Sequence, residues 1–305
     1  MENINKVAIV GMGPSGLSAA IYLKRSGIDP VCFEKKEIGG KLNIIKEIEN
    51  YPSFLGTGEE LKEQFSRQAD FFKLNIVHQN VLSILEEDGI FSIRTDGGTY
   101  SFQSVIIASG IREKPLNVPD SDLYSGNGIS RCAECDGPFY KGKTVAVLGS
   151  SSFALKDASY LASIDGKVIF ISQDKLPASL DKDKKEYLSH PNAEILEGYK
   201  IVGSKGTRHM DSLELESLSG EKKSVETEAL FILLGATPIT EFLGYMDILD
   251  DKGNIFTDSN METRQKGLFA VGDIRNTPLR QVVSACSDGA IAAVGCRRYL
   301  LGLKK

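Results

Sequence analysis

The stretch Lys6-Val7-Ala8-Ile9-Val10-Gly11-Met12-Gly13-Pro14-Ser15-Gly16 decides the fold of this chain. Its apolar half has the pattern of a short buried strand, and a helix-compatible run, Leu17–Ser26, follows the last glycine. A second apolar run, Pro30–Phe33, ends at Glu34. The order strand, glycine turn, helix and strand predicts a βαβ unit, and therefore an α/β fold with a doubly wound parallel sheet.

The three glycines and the acid have separate roles in this predicted unit. Gly11 permits the tight turn, Gly13 lets the backbone approach a pyrophosphate, and Gly16 lets the helix pack closely on the strand. The helix N-terminus stabilises the phosphate charge, and Glu34 accepts hydrogen bonds from the adenosine ribose. Glycines also form ordinary turns, so the pattern alone is weak evidence. The strand before it, the helix after it and the acid together predict a dinucleotide-binding unit.

A second unit with the same order follows further along the chain. Its strand, turn glycine, helix and closing strand are, in that order, Lys143–Leu148, Gly149, Phe153–Ala162 and Val168–Ile171. Gly149 precedes Ser172 by as many residues as Gly11 precedes Glu34. This weak internal repeat predicts two related nucleotide-type units rather than one long sheet.

The second glycine loop lacks most of what a nucleotide site requires. It reads Gly149-Ser150-Ser151-Ser152-Phe153-Ala154, with Ser151 where glycine would let a pyrophosphate approach. Ser172 occupies the position of Glu34, where NAD sites prefer an acid and NADP sites an arginine. The lysines that follow lack the planar fork of arginine: Lys175, Lys182, Lys184 and Lys185. We therefore expect a unit that keeps the fold and has lost much of its nucleotide-binding chemistry.

The composition is that of an average globular chain long enough for two domains. The chain has 305 residues, of which 41% are hydrophobic and 25% charged, and its net charge of −5 gives no support to nucleic-acid binding. The N-terminal residues lack the pattern of a secretory signal, and no window approaches the ~18 apolar residues of a membrane span. We expect a soluble, cytoplasmic protein in a reducing compartment.

Two of the five cysteines form the motif Cys132-Ala133-Glu134-Cys135. No second such motif and no paired histidines complete the four ligands of a zinc site, so we predict no metal. The spacing brings the two sulfurs within disulfide reach, which favours a redox dithiol, and Asp136 can move protons during thiol–disulfide exchange. The other three cysteines are predicted to be buried, inert thiols: Cys32, Cys286 and Cys296.

The chain resembles the low-molecular-weight thioredoxin reductase family over nearly its whole length. Besides the first glycine loop, the shared motifs are Gly39-Gly40-Lys41-Leu42, Glu49-Asn50-Tyr51-Pro52, Ala108-Ser109-Gly110, Cys132-Ala133-Glu134-Cys135-Asp136-Gly137, Gly235-Ala236-Thr237-Pro238, Phe269-Ala270-Val271-Gly272-Asp273, Arg280-Gln281 and Ala285. The cysteine motif between two nucleotide-type units, together with the late Gly-Asp and Arg-Gln pairs, makes the resemblance specific.

The resemblance implies a particular domain organisation. It consists of two Rossmann-like nucleotide-binding domains, each doubly wound and three-layered, with the second inserted in the first. Residues 1–113 and 244–305 would form the FAD-binding domain. Residues 114–243 would form an NAD(P)H-type domain that carries the redox motif and, in this chain, a degenerate nucleotide site. The implied cofactor is FAD, the implied disulfide substrate is thioredoxin, and family members are usually homodimers.

The resemblance also implies roles for individual residues. Asp273 would bind the ribityl–phosphate region of FAD, and the isoalloxazine edge would be lined by Arg280, Gln281 and Val282. The other residues expected to bind the cofactor are Gly11, Gly13, Pro14, Ser15, Gly16, Glu34, Lys35, Gly40, Lys41, Leu42, Asn50, Ala108, Ser109, Gly110 and Gly272. Cys135 would face the flavin, Cys132 would attack the substrate disulfide, and Asp136 would be the acid/base.

The chain departs from the family at its second nucleotide site. NADPH-dependent members carry an intact second glycine loop and a His-Arg-Arg cluster after the next strand, and this chain has neither. It is therefore similar to the pyridine-nucleotide-independent branch, whose best-known type takes electrons from ferredoxin. We predict a thioredoxin-disulfide reductase with reduced ferredoxin as its electron donor.

Three alternatives stay open from the sequence. The first is an NADPH-dependent thioredoxin reductase whose nucleotide site is built from lysines and serines. The second is a flavin dithiol oxidase that passes electrons to oxygen, although Asp136 after the cysteine pair favours a reductase. The third is a non-catalytic FAD-binding protein, against which the intact cysteine pair and the complete FAD motifs argue.

Overall fold

The structure is a computed structural model, and it describes residues 4–45, 47–113, 118, 124, 128–164, 166–244 and 246–303. The chain divides into two compact units. The first contains Met1–Arg112 and Thr237–Lys305, and the second contains Glu113–Ala236. Residue 114, the first residue of the predicted inserted domain, lies outside the described part of the chain.

The described chain contains strand–helix–strand segments as well as runs of consecutive strands. The strands are β1 (Asn5–Val10), β2 (Val31–Phe33), β3 (Ile48–Tyr51), β4 (Phe54–Gly56), β5 (Asn75–Val77), β6 (Val81–Glu87), β7 (Ile90–Thr95), β8 (Thr99–Ile107), β9 (Ile111–Glu113), β10 (Ile129–Ser130), β11 (Thr144–Gly149), β12 (Lys167–Ser172), β13 (Ala193–Glu197), β14 (Tyr199–Lys205), β15 (Ser212–Ser217), β16 (Lys222–Glu226), β17 (Ala229–Leu233), β18 (Ala236–Pro238) and β19 (Leu268–Ala270). The helices are α1 (Pro14–Arg25), α2 (Gly58–Phe71), α3 (Ala133–Asp136), α4 (Ser152–Ser163), α5 (Asp181–Tyr187) and α6 (Val282–Gly302).

The first unit is built on a seven-stranded sheet with the order β5-β2-β1-β8-β7-β6, in which β19 also pairs with β8. Strands β5, β2, β1, β8 and β19 are parallel, whereas β6 and β7 form an antiparallel hairpin. The hairpin pairs with the N-terminal half of β8, and β19 pairs with its C-terminal half. Because β1 is central, its run Val7–Val10 is buried.

The second unit is built on a five-stranded parallel sheet with the order β10-β17-β11-β12-β13. A separate antiparallel sheet has the order β14-β15-β16. The core on one side of the parallel sheet includes the buried rings of Phe170, Tyr187 and Phe231. The order β11, α4, β12 repeats the order β1, α1, β2, so the predicted α/β fold with two Rossmann-like units is confirmed.

The predicted helix bounds need small corrections. Helix α1 begins at Pro14, three residues before the predicted Leu17, because proline is well tolerated in the first turn of a helix. Helix α4 begins at Ser152, one residue before the predicted Phe153. Within the described residues, no helix is both long enough and apolar enough to span a membrane.

The packing of α6 on α1 in the first unit depends on one glycine. A Cβ atom at Gly289 would lie 2.1 Å from the carbonyl oxygen of Ser15 and 2.9 Å from the backbone nitrogen of Ala19. Both neighbours are backbone atoms of α1, which cannot move without moving the helix. The two helices therefore approach each other more closely than any side chain at position 289 would allow.

The substitution Gly289→Ala is expected to destabilise the protein by about 1–3 kcal/mol, since overpacking of a core has costs of this size. In a thermal unfolding experiment the midpoint would fall by roughly 3–10 °C. Gly302→Ala in the last turn of the same helix is the matched control, because a Cβ there has no neighbour within 4 Å. Equal midpoints for the two variants would contradict the close packing of α6 on α1.

Candidate functional site

The first glycine loop connects β1 to α1, and two of its glycines are required by packing inside the protein. Gly11 has a φ of +99°, and a Cβ there would lie 2.4 Å from the carbonyl oxygen of Ala108. A Cβ at Gly16 would lie 1.9 Å from the carbonyl oxygen of Gly11. The loop can therefore close on the end of β8 only if both positions lack a side chain.

Gly13 differs from these two because the space beside it is open. The nearest heavy atom to a Cβ at this position would be the Cα of Gly40, at 4.0 Å. Gly13 is also the N-cap residue of α1, and no side-chain hydrogen bond caps that helix end in the described chain. An exposed strip of backbone beside uncapped helix N–H groups is what a pyrophosphate group requires.

Glu34 lies at the carboxyl end of β2 and is held against the glycine loop. Its carboxylate accepts hydrogen bonds from the backbone N–H of Met12 at 2.9 Å and of Lys36 at 3.0 Å. A carboxylate offers about four acceptor positions, so others stay available for ribose hydroxyls. The neighbouring Lys35 is exposed.

Asp273 brings together residues from three of the predicted motifs. The Nζ of Lys41 lies 3.7 Å from its Oδ2 atom. Burial raises the pKa of Asp273, and the positive charges of Lys41 and Arg280 oppose that shift. Next to it, Gly272 has a φ of +75°, and a Cβ there would lie 2.7 Å from the Oγ of Ser15. The turn that carries Asp273 thus packs directly on the first turn of α1.

Two further predicted residues, at the start of α6, are held by hydrogen bonds. Asn50 donates from Nδ2 to the Oε1 of Gln281 at 3.2 Å, which joins β3 to the N-terminus of α6. Arg280 donates from Nη2 to the Oδ1 of Asn254 at 3.0 Å. After β8, the hydroxyl of Ser109 donates to the carbonyl oxygen of Ile239 at 2.9 Å.

A buried ion pair in the first unit was not expected from the sequence. Arg275 donates from Nε to Asp288 at 2.7 Å and from Nη2 at 3.2 Å, and the N–H of Gly272 donates to the same carboxylate at 3.1 Å. Asp288 on α6 is only 6% exposed. The pair therefore ties α6 to the turn that carries Asp273. The signal in the sequence was a single acid inside an apolar helical run.

The predicted redox pair lies in the second unit, at the start of α3. Cys132 and Cys135 are joined by a disulfide, with their Cα atoms 5.3 Å apart, so the predicted pairing is confirmed. Asp136 follows at the end of α3, and its backbone N–H donates to the carbonyl oxygen of Cys132 at 3.1 Å.

The carboxylate of Asp136 has a partner that sequence reasoning missed. The hydroxyl of Ser130 donates to the Oδ2 of Asp136 at 2.6 Å, and the Oγ of Ser130 accepts from the backbone N–H of Cys132 at 3.1 Å. A serine two residues before a cysteine carries no recognisable signal on its own.

On the adjacent helix α4, burial and the nearby charge of Glu134 raise the pKa of Asp157 to about 6.

The remaining three cysteines differ from one another in burial. Cys32 and Cys296 are buried, as predicted, and burial raises the pKa of each thiol to about 12. Cys286 is only half-buried, so the prediction was too strong for this residue. Near the start of α6, its sulfur lies 3.9 Å from the hydroxyl of Tyr51 and 3.8 Å from the carbonyl oxygen of Pro14. Burial still raises its pKa.

The second glycine loop has a different geometry from the first. The hydroxyl of Ser151 accepts a hydrogen bond from the backbone N–H of Ala154 at 3.2 Å and so caps α4. A Cβ at Gly149 would lie 2.4 Å from the Cβ of Ala154 and 3.2 Å from the ring of Phe170. The one glycine that this loop retains is therefore explained by packing against α4 and β12.

A carboxylate lies beside the position where a nucleotide ribose would be recognised. Glu197 on β13 is the register partner of Ser172 at the end of β12. Its Oε1 atom lies 2.7 Å from the Nζ of Lys184 and accepts from the N–H of Leu176 at 3.3 Å. The hydrogen bond from Lys184 lowers the pKa of Glu197, so this carboxylate is ionised at neutral pH.

The comparisons with known proteins agree with this geometry. The family described as pyridine nucleotide-disulphide oxidoreductase matches residues 5–289. The thioredoxin reductase of Treponema pallidum is 33% identical over 303 residues, which is 98% of each chain. The chain belongs to this family. More narrowly, it is a member of the low-molecular-weight thioredoxin reductases, oxidoreductases that act on a disulfide.

Two solved structures extend the comparison. The thioredoxin reductase of Streptococcus pyogenes superposes with a TM-score of 0.93 at 28% identity, covering 99% of this chain and 100% of that one. A ferredoxin-flavin thioredoxin reductase from Clostridium acetobutylicum gives a TM-score of 0.56 at 30% identity, covering 99% of both chains.

Members of this family are FAD flavoproteins, and the first unit fits that cofactor. The open backbone at Gly13 and the uncapped start of α1 suit a pyrophosphate, and Glu34 suits a ribose. The second loop of this family member does not fit a pyridine nucleotide in the same way. Its helix end is already capped by Ser151, and Glu197, the register partner of Ser172, is ion-paired with Lys184.

Replacing one partner of the buried ion pair is expected to be strongly destabilising. Asp288→Asn leaves Arg275 buried without its counter-charge, and such losses are about 3–5 kcal/mol. Asp247→Asn is the control: Arg264 and Asp247 form an ion pair at 3.5 Å in which the side chains are 61% and 92% exposed. Such a pair contributes at most ~1 kcal/mol. The free energies of unfolding of the two variants are compared by urea unfolding. Similar urea midpoints for Asp288→Asn and Asp247→Asn would show that the Asp288–Arg275 pair does not hold α6 to the turn that carries Asp273.

The five cysteines are expected to fall into two classes of reactivity. After mild reduction at neutral pH, iodoacetamide should modify Cys132 and Cys135 in the folded protein. The other three thiols should be modified only after the protein is unfolded. Alkylation requires a thiolate, and a raised pKa makes that species rare, so we expect at least a ~10²-fold difference in rate. Mass spectrometry counts the labels over time. A third label at the same rate would contradict the protection of Cys32, Cys286 and Cys296.

Proposed function

We propose that this chain is an FAD-dependent thioredoxin-disulfide reductase that takes its electrons from reduced ferredoxin. The observation that carries the proposal is the contrast between the two glycine loops in a chain with a redox disulfide. The first loop presents open backbone and an uncapped helix end. The second is capped by its own serine, and the ionised carboxylate of Glu197 lies beside Ser172, where an NADP site would need positive charge for the 2′-phosphate.

The cysteine pair of the second unit carries out the thiol–disulfide exchange. FAD, when bound, supplies the two electrons that reduce the Cys132–Cys135 disulfide. Cys132 as thiolate then attacks the disulfide of oxidised thioredoxin, and one sulfur of thioredoxin leaves. Cys135 attacks the mixed disulfide, which releases reduced thioredoxin and restores the Cys132–Cys135 bond. Asp136 accepts the proton of the attacking thiol and returns it to the leaving sulfur.

The FAD-binding role of the first unit is part of the same proposal. Gly11, Gly13 and the start of α1 would hold the pyrophosphate, and Glu34 the adenosine ribose. Asp273 and Lys41 would hold the ribityl–phosphate region, and Arg280 and Gln281 the isoalloxazine edge. The contacts between Lys41 and Asp273 and between Asn50 and Gln281 support this grouping, because they join motifs that are far apart in sequence.

The second loop supports a donor other than NADPH. A phosphate bound at the start of α4 would have to displace the hydroxyl of Ser151 from the N–H of Ala154. Lys184, one of the lysines that an atypical NADPH site would need, is paired with Glu197 at 2.7 Å. A 2′-phosphate at this edge would meet that ionised carboxylate, and like charges at short range repel.

Two relatives support the identity of the substrate and of the donor. The Treponema protein carries the name thioredoxin reductase, which supports thioredoxin as the disulfide substrate. The Clostridium structure carries the name ferredoxin-flavin thioredoxin reductase and is 30% identical over nearly the whole chain. We further propose a homodimer, as the resemblance to the family implies, and a cytoplasmic location.

The electron donor is tested by mixing the anaerobic holoprotein with reduced ferredoxin, NADPH or NADH and following the flavin absorbance. Reduced ferredoxin is expected to bleach the flavin rapidly, and both nucleotides at least ~10²-fold more slowly, because the second unit lacks the groups that orient them. Added oxidised thioredoxin should be reduced only with ferredoxin. Rapid bleaching by NADPH would overturn the proposed donor.

The variant Cys135→Ser is the matched control. It should still accept electrons from ferredoxin, because the first unit is unchanged, and it should not turn over thioredoxin, because the mixed disulfide cannot be resolved. A measurement of oxygen uptake with a small dithiol separates the reductase from a dithiol oxidase. Purified protein without bound flavin would contradict the whole assignment.

A further inference from the structure

The hydroxyl of Ser130 connects the carboxylate of Asp136 to the backbone of Cys132. Ser130 ends β10 and is 5% exposed. It donates to the Oδ2 of Asp136 at 2.6 Å and accepts from the backbone N–H of Cys132 at 3.1 Å. The carbonyl oxygen of Cys132 lies at 3.2 Å from the same hydroxyl. Since the hydroxyl has one proton, the shorter contact to a charged acceptor identifies Asp136 as its main acceptor.

We propose that Ser130 is a positioning residue that holds the carboxylate of Asp136 beside the Cys132–Cys135 pair in its proton-accepting form. The inference rests on the proposed role of Asp136 as the acid/base and extends it to a residue that touches neither substrate nor sulfur.

The physical argument combines geometry and charge. An aspartate at the end of a four-residue helix can rotate toward solvent, and a hydrogen bond from a buried side chain prevents this. A hydroxyl that donates to a carboxylate stabilises the ionised form, which is the form that accepts a proton from a thiol. Because Ser130 also accepts from the N–H of Cys132, the carboxylate is fixed relative to the attacking cysteine.

Tyr140 interacts electrostatically with Asp136. Further titratable groups of the second unit that must be separated from the effect of Ser130 include Glu134 on the same helix, Arg131 with its partner Glu113 at 2.7 Å, Asp157 on α4, and Glu228 and Lys143 near Tyr140. Burial and the charge of Glu134 raise the pKa of Asp157 to about 6, which lies within the pH range of the measurement. The variant Asp157→Asn therefore belongs in the experiment.

The reaction used as a probe needs no electron donor and no thioredoxin. The holoprotein is reduced with dithiothreitol, freed of it, and mixed with the aromatic disulfide 5,5′-dithiobis(2-nitrobenzoate). Cys132 attacks one sulfur, its proton passes to Asp136, and one arylthiolate leaves. Cys135 then attacks the sulfur of Cys132, loses its proton to water and releases the second arylthiolate. Two electrons pass from the dithiol to the reagent, and the disulfide re-forms.

The rate is measured between about pH 5.5 and 8.5 for Ser130→Ala and Ser130→Thr. We expect Ser130→Ala to raise the pH of half-maximal rate by about one unit and to lower the rate near pH 7 by up to ~10-fold. The reason is that the Asp136 carboxylate loses a charge-assisted hydrogen bond, which water replaces only in part, so its pKa rises. Threonine keeps the hydroxyl, so Ser130→Thr should restore the profile. A profile for Ser130→Ala that matches the unchanged protein overturns the inference.

Three further variants keep the outcome unambiguous. In the background Asp136→Asn, adding Ser130→Ala should have no further effect on the profile, and a full additional shift would overturn the inference. The shift should persist in the background Asp157→Asn, and its disappearance would assign it to Asp157. Thr227→Val removes another buried hydroxyl of this unit, which donates to backbone carbonyls only, and it should leave the profile unchanged. The same shift in that variant would show a general structural effect and overturn the inference.

The test separates this inference from the function on which it rests. If Asp136→Asn leaves the profile unchanged, Asp136 is not the acid/base, and the inference about Ser130 fails with that role. The identity of the electron donor is not touched by either result, because the probe reaction uses no donor.

Discussion

The close approach of α1 to the end of β1 is the constraint on which the first unit depends. It requires the absence of a side chain at Gly16, where a Cβ would lie 1.9 Å from the carbonyl oxygen of Gly11. The fit of the loop against Ala108 after β8 requires the same at Gly11, where the distance is 2.4 Å. With the helix held there, its first N–H groups and the open backbone of Gly13 face the same space. Glu34 is held against this loop, and the turn that carries Asp273 packs on the first turn of α1.

The two units share the same strand–turn–helix geometry, but the N-termini of their helices α1 and α4 are capped differently. In the first, no side chain caps the start of α1, so its N–H groups need a partner of opposite charge. In the second, the hydroxyl of Ser151 accepts a hydrogen bond from the N–H of Ala154 at the start of α4, so a side chain of the protein caps this helix. A change from glycine to serine at one loop position therefore alters the ligand requirement and leaves the fold intact.

What could be predicted from the sequence was local. The strand, turn and helix order of both units, the pairing of Cys132 with Cys135 and the loss of glycine at Ser151 depend on residues close together in the chain. Interactions between distant segments could not be predicted. Asp288 meets Arg275 because α6 packs on the turn before it.

The residues around the cysteine motif show the same limit. Ser130 meets Asp136 because β10 ends where α3 returns to it, and no pattern in a single sequence marks such a meeting. Cys286 was expected to be buried because its neighbours are apolar, but exposure near a helix end depends on what covers that end.

The ion pair between Glu197 and Lys184 has a consequence for how this chain could acquire a different electron donor. An arginine introduced at position 172 would face Glu197 across the β12–β13 ladder and would be neutralised by it. The serine at position 151 would still occupy the helix end. No single substitution on a path toward pyridine-nucleotide use therefore gains much by itself, and the changes become useful only in combination. If ferredoxin is the donor, as proposed, the ion pair between Glu197 and Lys184 is one of several features that would have to change together before a pyridine nucleotide could replace it.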